Sequence, residues 1–191
     1  MAGVAGAVLC GGRSTRMGRD KATLRVDGEA MVVRVATALV AAGCVPITAI
    51  GGDAAALTEL GVPVVADLHP GQGPLGGVLT ALTTFAERGV VDAVVVVSCD
   101  MPWLDGATVA TLIAGLADHD VAVARGERAE PLCAVWRVGC VAGLRTHFGA
   151  GIRAVHRAIG GCDAVEVDVD PAAVRNVNAP ADVQAGRRAY D

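Results

Sequence analysis

Apolar and polar positions along this chain fall into blocks that alternate between two periods. Val4–Cys10 is an apolar run that ends in a glycine loop, and it reads as a first strand. Glu29–Ala42 is long, apolar and free of proline, which predicts a helix stopped by Gly43. Val45–Ile50 is a short β-branched run, and Ala54–Leu60 reads as a helix with Asp53 as its N-cap. Val62–Ala66 reads as a strand, Leu75–Arg88 as a helix closed by Gly89, and Ala93–Ser98 as a strand built on four consecutive valines. Asp105 or Gly106 opens a helix that reaches about Ala117, and Val121–Ala124 is a further strand. The last third is less regular. Pro131–Val138 reads as a strand able to run antiparallel, Ala150–Ile159 as a helix, Val165–Val169 as a strand and Ala181–Arg188 as a final helix.

Strand and helix in this rhythm predict an α/β fold: a Rossmann-like three-layer sandwich, with a mostly parallel sheet and helices on both faces. Valine runs without polar alternation suit strands buried on both sides. The chain has 191 residues, with no internal repeat and no linker, which fits one domain spanning 1–191. Hydrophobic residues make up 53% and the mean hydropathy is +0.50, so disorder is excluded. Aromatics are only 3%, so the core must come from Val, Ala, Leu and Ile.

Charge narrows the function classes. The net charge is −4 and the pI about 5.5, without the basic balance and exposed aromatics of a nucleic-acid binder. The longest apolar runs, such as Ala93–Val97, fall far short of the roughly 20 residues of a membrane span. The N-terminus lacks the pattern of a signal peptide, and a cytoplasmic location is expected. The six cysteines, Cys10, Cys44, Cys99, Cys133, Cys140 and Cys162, form no CxxC pair and read as buried thiols rather than a zinc site.

In open α/β sheets ligands bind beyond the carboxyl ends of the strands, so the loops after the strands carry the candidate chemistry. The first strand is followed by Gly11, Gly12 and Gly18 with Arg13, Arg16, Arg19 and Lys21. Glycines permit close backbone approach, and the cations make a cradle for polyphosphate. The sequence holds 15 arginines and a single lysine, Lys21, in this loop. A compact ammonium can touch one phosphate oxygen where a planar guanidinium is too large. The spacing is not that of a Walker A loop, since Gly12 and Gly18 are one residue too far apart and Arg19-Asp20 follows. Gly71-Gln72-Gly73-Pro74-Leu75-Gly76 is formally a GxGxxG, but it follows the third strand rather than the first, which excludes the dinucleotide fingerprint. Asp67 and Asp100 each follow a strand. Either can hold Mg²⁺ between phosphates, and either can cap a turn; the buried valine strand favours Asp100 for the metal. The histidines lie in no metal or nucleophile pattern.

These motifs occur in order: Leu9-Cys10-Gly11-Gly12, Arg16-Met17-Gly18 with Lys21, Gly73-Pro74-Leu75-Gly76-Gly77, Cys99-Asp100-Met101-Pro102 and Asn176-Val177-Asn178-Ala179-Pro180-Ala181-Asp182. Together, from about residue 6 to residue 182, they resemble the molybdenum cofactor guanylyltransferases of the nucleotidyltransferase superfamily. The resemblance implies transfer of GMP from GTP to the phosphate of molybdopterin, with release of pyrophosphate and Mg²⁺ as cofactor. It implies that Leu9, Cys10, Gly11 and Gly12 hold guanine and ribose, that Lys21 and Arg16 serve the phosphates, and that Asp67 is a nucleotide-site carboxylate. Asp100 is then the metal ligand, and Gly76, Gly77, Arg153, Asn176 and Asn178 line the acceptor side. GTP and molybdopterin are the implied partners, with other molybdenum cofactor proteins as further candidates. An ionised phosphate nucleophile needs no strong general base, in keeping with a residue inventory that offers no catalytic dyad.

The sequence departs from the family at Cys10, where the usual residue is Ala, at Ala179, where it is Thr, and at Gly51-Gly52, where Asn is frequent. Two other readings stay open. One is a related enzyme with another base or acceptor, such as a molybdopterin cytidylyltransferase or a sugar- or lactate-type enzyme. The other is a non-catalytic nucleotide-binding domain, which the intact Lys21 and Asp100 disfavour.

Overall fold

The computed structural model describes residues 3–11, 21–89, 91–177 and 182. In the first half, β1 (Val4–Leu9) is followed by a single 3-10 turn at Lys21–Thr23 and a small hairpin of β2 (Arg25–Val26) and β3 (Glu29–Ala30). Then come α1 (Met31–Ala41), β4 (Ile47–Ile50), α2 (Ala54–Glu59), β5 (Val64–Val65), α3 (Pro74–Arg88) and β6 (Ala93–Ser98). The second half adds α4 (Gly106–Gly115), β7 (Val121–Arg125), β8 (Ala129–Arg137), α5 (Val141–Gly149), α6 (Val155–Ile159) and β9 (Ala164–Asp168). Seven strands form one sheet in the order β5-β4-β1-β6-β8-β7-β9. Only β8 runs against its neighbours, pairing antiparallel with both β6 and β7. The expected α/β sandwich with a mostly parallel sheet is therefore observed.

Two apolar layers cover the sheet. On one face Val8, Val95 and Val97 pack with Val35 and Leu39 of α1 and with Val109 and Leu112 of α4. On the other, Ala5, Ala7, Val94 and Val96 pack with Leu75, Leu82 and Phe85 of α3 and with Leu144 and Ala158 of α5 and α6. Neighbouring valines of β6 thus serve opposite layers, and the unbroken run is explained by burial on both sides. Gly6 lets α1 approach: a β-carbon there would lie 2.6 Å from Ile47 Cδ1 and 2.9 Å from Leu39 Cδ1.

Several element boundaries differ from the sequence reading, and each difference has a local cause. The helix expected from Glu29 starts at Met31, because Asp27 and Gly28 take positive φ (53° and 85°) and turn Arg25–Ala30 into a hairpin. Strands β4 and β5 begin after Pro46 and Pro63, which have no N–H to give to a ladder. Of the single helix expected over Ala150–Ile159 only α6 (Val155–Ile159) is helical; α5 (Val141–Gly149), which the sequence reading did not include, precedes it, and Gly151 with φ 87° lies in the break between the two. The final helix expected over Ala181–Arg188 lies outside the described residues apart from Asp182, which is helical.

The sheet order places the topological switch between β1 and β6. From β1 the chain goes outward to β4 and β5; from β6 it goes outward the other way. A crevice opens at the carboxyl ends of those two strands, which is where ligands bind in such sheets.

Candidate active site

The crevice is a cleft of about 370 Å³ whose lining includes Leu9, Gly11, Asp67, Gly73, Gly77 and Ser98. A more open lobe of about 790 Å³ continues past Gly11 and Asp67 to Cys10, Gly51 and Gly52. The floor is fixed by backbone bonds. Cys10 N and Gly11 N both donate to Ile50 O, at 3.0 and 3.2 Å, and Cys99 N donates to Leu9 O at 3.1 Å. The glycine edge of β1 is thereby tied to β4 on one side and β6 on the other.

Asp67 sits half-buried beneath Gly11. Its Oδ1 accepts from His69 N and from Thr80 Oγ1, each at 2.9 Å. A β-carbon on Gly11 would stand 3.7 Å from Asp67 Oδ2, so this second oxygen faces the glycine edge of the cleft. Thr80 is fully buried on α3 and also accepts from Leu68 N at 3.1 Å. One side chain of α3 therefore shapes the whole turn after β5. Gly73 and Gly76 allow that helix to start here. Gly73 caps it at φ 88°, and a β-carbon on Gly76 would come within 2.8 Å of His69 Cβ. The Gly71–Gly76 segment is thus no dinucleotide fingerprint, yet Gly71 and Gly73 line the cleft.

A second cluster forms where three distant segments meet. Lys21 Nζ lies 3.5 Å from Asp100 Oδ2 and donates to Val177 O at 3.3 Å. Val177 N donates to Asp100 O at 2.8 Å. Lysine, aspartate and the C-terminal segment are thus knotted together. The loop carrying Asp100 is further held by Arg34 of α1, whose Nε donates to Pro102 O at 2.8 Å. Asp100 keeps 17% side-chain exposure, and its Oδ1 is buried with no hydrogen-bond partner among the described residues. A carboxylate oxygen left in this state carries a desolvation cost that a cation at the site would offset.

The residues expected on the acceptor side divide between two places. Gly77 lines the cleft, packed close to Leu9. Gly76 is buried behind it against His69. Arg153 braces the cleft wall: its backbone O accepts from Leu75 N at 3.1 Å, and its guanidinium donates to Phe148 O and Ile152 O while lying 3.9 Å over the Phe148 ring. Asn176 instead lines a separate polar pocket of about 390 Å³ with Glu127, Arg128, Glu130 and Arg175, and its Nδ2 donates to Glu130 Oε2 at 3.4 Å. Gly12, Arg16 and Asn178 lie outside the described residues.

Three contributors to this site escaped the sequence reading. Thr80 stands four residues after Gly76, a spacing that places it above that glycine on the helix, but threonine in a helix gives no signal by itself. Val177 acts through its backbone, which no residue type announces. Glu130 carries no motif.

A glycine-edged cleft at the switch point, with a lysine–aspartate pair beside it, defines a nucleotide-handling transferase of the α/β type. The MobA-like NTP transferase domain family matches residues 6–165, and the chain belongs to that family. A protein of Pelotomaculum thermopropionicum named probable molybdenum cofactor guanylyltransferase is 38% identical over 146 residues, covering 76% of this chain and 69% of the relative. The molybdenum cofactor guanylyltransferase of Rhodobacter capsulatus is 33% identical over 183 residues, covering 94% and 93%. Among solved structures, molybdopterin-guanine dinucleotide biosynthesis protein A from Archaeoglobus fulgidus superposes with a TM-score of 0.75 at 22% identity, over 97% of this chain and 98% of that one. The protein is an enzyme, a nucleotidyltransferase. Among the described residues no helix is long and apolar enough to cross a membrane.

Proposed function

We propose that this enzyme transfers GMP from GTP to the phosphate of molybdopterin, forming the guanine dinucleotide and releasing pyrophosphate. The observation that carries this reading is the knot of Lys21, Asp100 and Val177 beside the glycine-edged cleft. It joins three of the motifs that carry the family likeness at one point, next to a cavity of nucleotide size.

In this reading the nucleoside enters along Leu9, Cys10 and Gly11, where the absence of a side chain on Gly11 leaves room for a purine, and Asp67 Oδ2 faces it. Gly12 and Arg16 follow in the sequence and are assigned to the same nucleotide by the family likeness of their motifs. Lys21 places its ammonium on the phosphates. Asp100 would hold Mg²⁺, whose fit rests on the buried and unpartnered Oδ1. A divalent ion held there would supply charge neutralisation for the triphosphate and the departing pyrophosphate.

The acceptor's phosphate oxygen attacks the α-phosphorus, its bond forms, and the bond to the β-phosphate breaks. Catalysis then consists of alignment and charge neutralisation. The polar pocket at Asn176 supports an acceptor on that side, since the next residue, Val177, already touches Lys21 and Asp100. Gly76, Gly77 and Arg153 brace the cleft between the two substrates, and Asn178 is assigned to the acceptor by the family likeness of its motif alone.

Titration calorimetry with GTP, CTP and ATP in Mg²⁺ tests the base assignment. GTP is expected to bind tightest, because a site that pairs with a base edge rejects one with the wrong donors. Equal affinity for CTP would promote a cytidylyltransferase.

A further inference from the structure

The polar pocket at Asn176 lies between two segments that are packed and bonded to each other. One is the turn from β7 into β8, with Glu127, Arg128 and Glu130; the other is the C-terminal segment, with Val174, Arg175 and Asn176. Gly126 lets them close: a β-carbon there would stand 2.9 Å from Val174 Cγ2 and 3.0 Å from Pro171 Cα. Val169 N donates to Arg125 O at 3.0 Å and Gly126 N to Arg128 O at 3.1 Å, which fixes both walls. Arg128 and Arg175 are exposed, whereas the Glu130 side chain keeps only 15% exposure. Its Oε1 accepts from Arg128 Nε at 3.1 Å and its Oε2 from Asn176 Nδ2 at 3.4 Å. A carboxylate has about four lone-pair sites, so each oxygen keeps room for one more donor. The two carboxylates and two guanidiniums of the lining cancel in formal charge. Such a pocket suits an uncharged ring that presents donors and acceptors in a fixed order, and not an anion.

We propose that Glu130 reads the pterin ring of the acceptor, taking hydrogen bonds from the N3–H and the 2-amino group of its aminopyrimidinone edge. This rests on reading molybdopterin as the acceptor. Two N–H donors side by side match the two oxygens of one carboxylate. A side-chain amide offers one acceptor and one donor, and a hydroxyl only a single atom. Asn176 and Arg128 position the carboxylate, one from each wall. The residue after Asn176 is Val177, whose backbone O takes the Lys21 ammonium at 3.3 Å. The ring end of the acceptor is thereby anchored one residue from the cation assigned to the phosphates. A ring with a carbonyl in place of the amine sets lone pairs against lone pairs and leaves a mostly buried carboxylate oxygen without its donor, which is a strong ground for rejection. Acceptors of the sugar or lactate type carry no such edge.

The test has a kinetic arm and a binding arm, both on the whole protein and on Glu130→Gln, which keeps the size of the side chain and an acceptor for its neighbours. With GTP and Mg²⁺ saturating, Glu130→Gln is expected to raise the KM for molybdopterin by about tenfold or more, with a smaller change in kcat and the same GTP affinity by calorimetry. A purely structural Glu130 would instead lower the melting temperature and leave that KM in place. In the binding arm, pterin and lumazine, which carries an oxo group where pterin has the 2-amine, are titrated by their own fluorescence without nucleotide. The unaltered protein is expected to prefer pterin by about tenfold or more, and Glu130→Gln to lose that preference, because its amide offers the donor that lumazine can accept. An unmoved KM, or equal or absent binding of the two rings by the unaltered protein, overturns the proposal. If Glu130→Gln does not fold, the two rings on the unaltered protein decide it. If the unaltered protein makes no guanine dinucleotide from molybdopterin, the proposed function fails, while the ring titration still decides whether the pocket reads a pterin.

Discussion

The loops after β5 and β6 each carry an aspartate to the carboxyl edge of the sheet, and the two carboxylates are used differently. Asp67 spends Oδ1 on its own turn, accepting from His69 N and Thr80 Oγ1. Asp100 makes no such turn with its side chain. It meets Lys21 through Oδ2 and keeps Oδ1 buried without a partner among the described residues. A carboxylate that satisfies its turn first is chiefly a shaping element, with one oxygen left over for a ligand. A carboxylate held stiffly but left unsatisfied is poised for a cation. The sequence shows two aspartates in equivalent positions; their partners separate the roles.

The comparison breaks most sharply at Asp100. Asp100→Asn keeps the shape and can still accept from Lys21, but it offers a cation only a neutral carbonyl. Turnover is expected to fall on the order of a hundredfold or more with the melting temperature nearly unchanged. Rate, Mg²⁺ dependence and melting curve on one sample decide it: an unaltered rate per folded molecule would make Asp100 a turn residue like Asp67.

Lys21→Ala comes next. It removes the ammonium that joins Asp100 to Val177, and nucleotide affinity and turnover are expected to drop together, each by about tenfold or more. Lys21→Arg is expected to restore part of the binding and less of the rate, since a planar fork does not fit where a point charge sits. Full recovery with arginine would show that the single lysine has no special place.

At Asp67 the expected effect moves from rate to stability. Asp67→Ala leaves His69 N without its acceptor and takes from the buried Thr80 hydroxyl one of its two acceptors, Gly76 O at 2.9 Å remaining, at a cost of about 1–3 kcal/mol in urea unfolding. Thr80→Val removes the other end of the same bond and should cost about 1 kcal/mol, less than additively with Asp67→Ala because the two share it. A double variant whose loss equals the sum of the singles would contradict the coupling.

The smallest effect is expected at Gly11. A β-carbon there meets Asp67 Oδ2 at 3.7 Å, an ordinary contact, so Gly11→Ala should fold normally. It narrows the cleft where the purine is placed, and the GTP preference over CTP should shrink by a few-fold in competition binding. An unchanged ratio would move base recognition away from β1.

Much of this was legible in the chain before any coordinates. The strands β1 and β6 and the helix α3 stand out because burial on both faces, or along one long stripe, leaves an unbroken pattern. Asp53 announces its helix and does cap it, accepting from Ala55 N and Ala56 N. The Arg25–Ala30 hairpin was hidden because Val26 and Ala30 continue the apolar spacing of α1, although Asp27-Gly28 carried the turn signal. The site was legible in its parts but not in its assembly. Lys21 and Asp100 are 79 positions apart, and nothing local in either says that they meet. The third member of that knot is a backbone carbonyl, which has no sequence signature. Asn176 was found through its motif, but its partner Glu130 and the pocket they share emerge only when β8 is laid beside the C-terminal segment.

The most direct test of the account is turnover. The enzyme is incubated with Mg²⁺, molybdopterin and either GTP, CTP or ATP, pyrophosphate is followed, and the product is identified by mass. The account predicts pyrophosphate and molybdopterin-guanine dinucleotide in equal amounts with GTP, and little of either with CTP or ATP. Comparable product from CTP, or no product from any nucleotide despite binding, would contradict it.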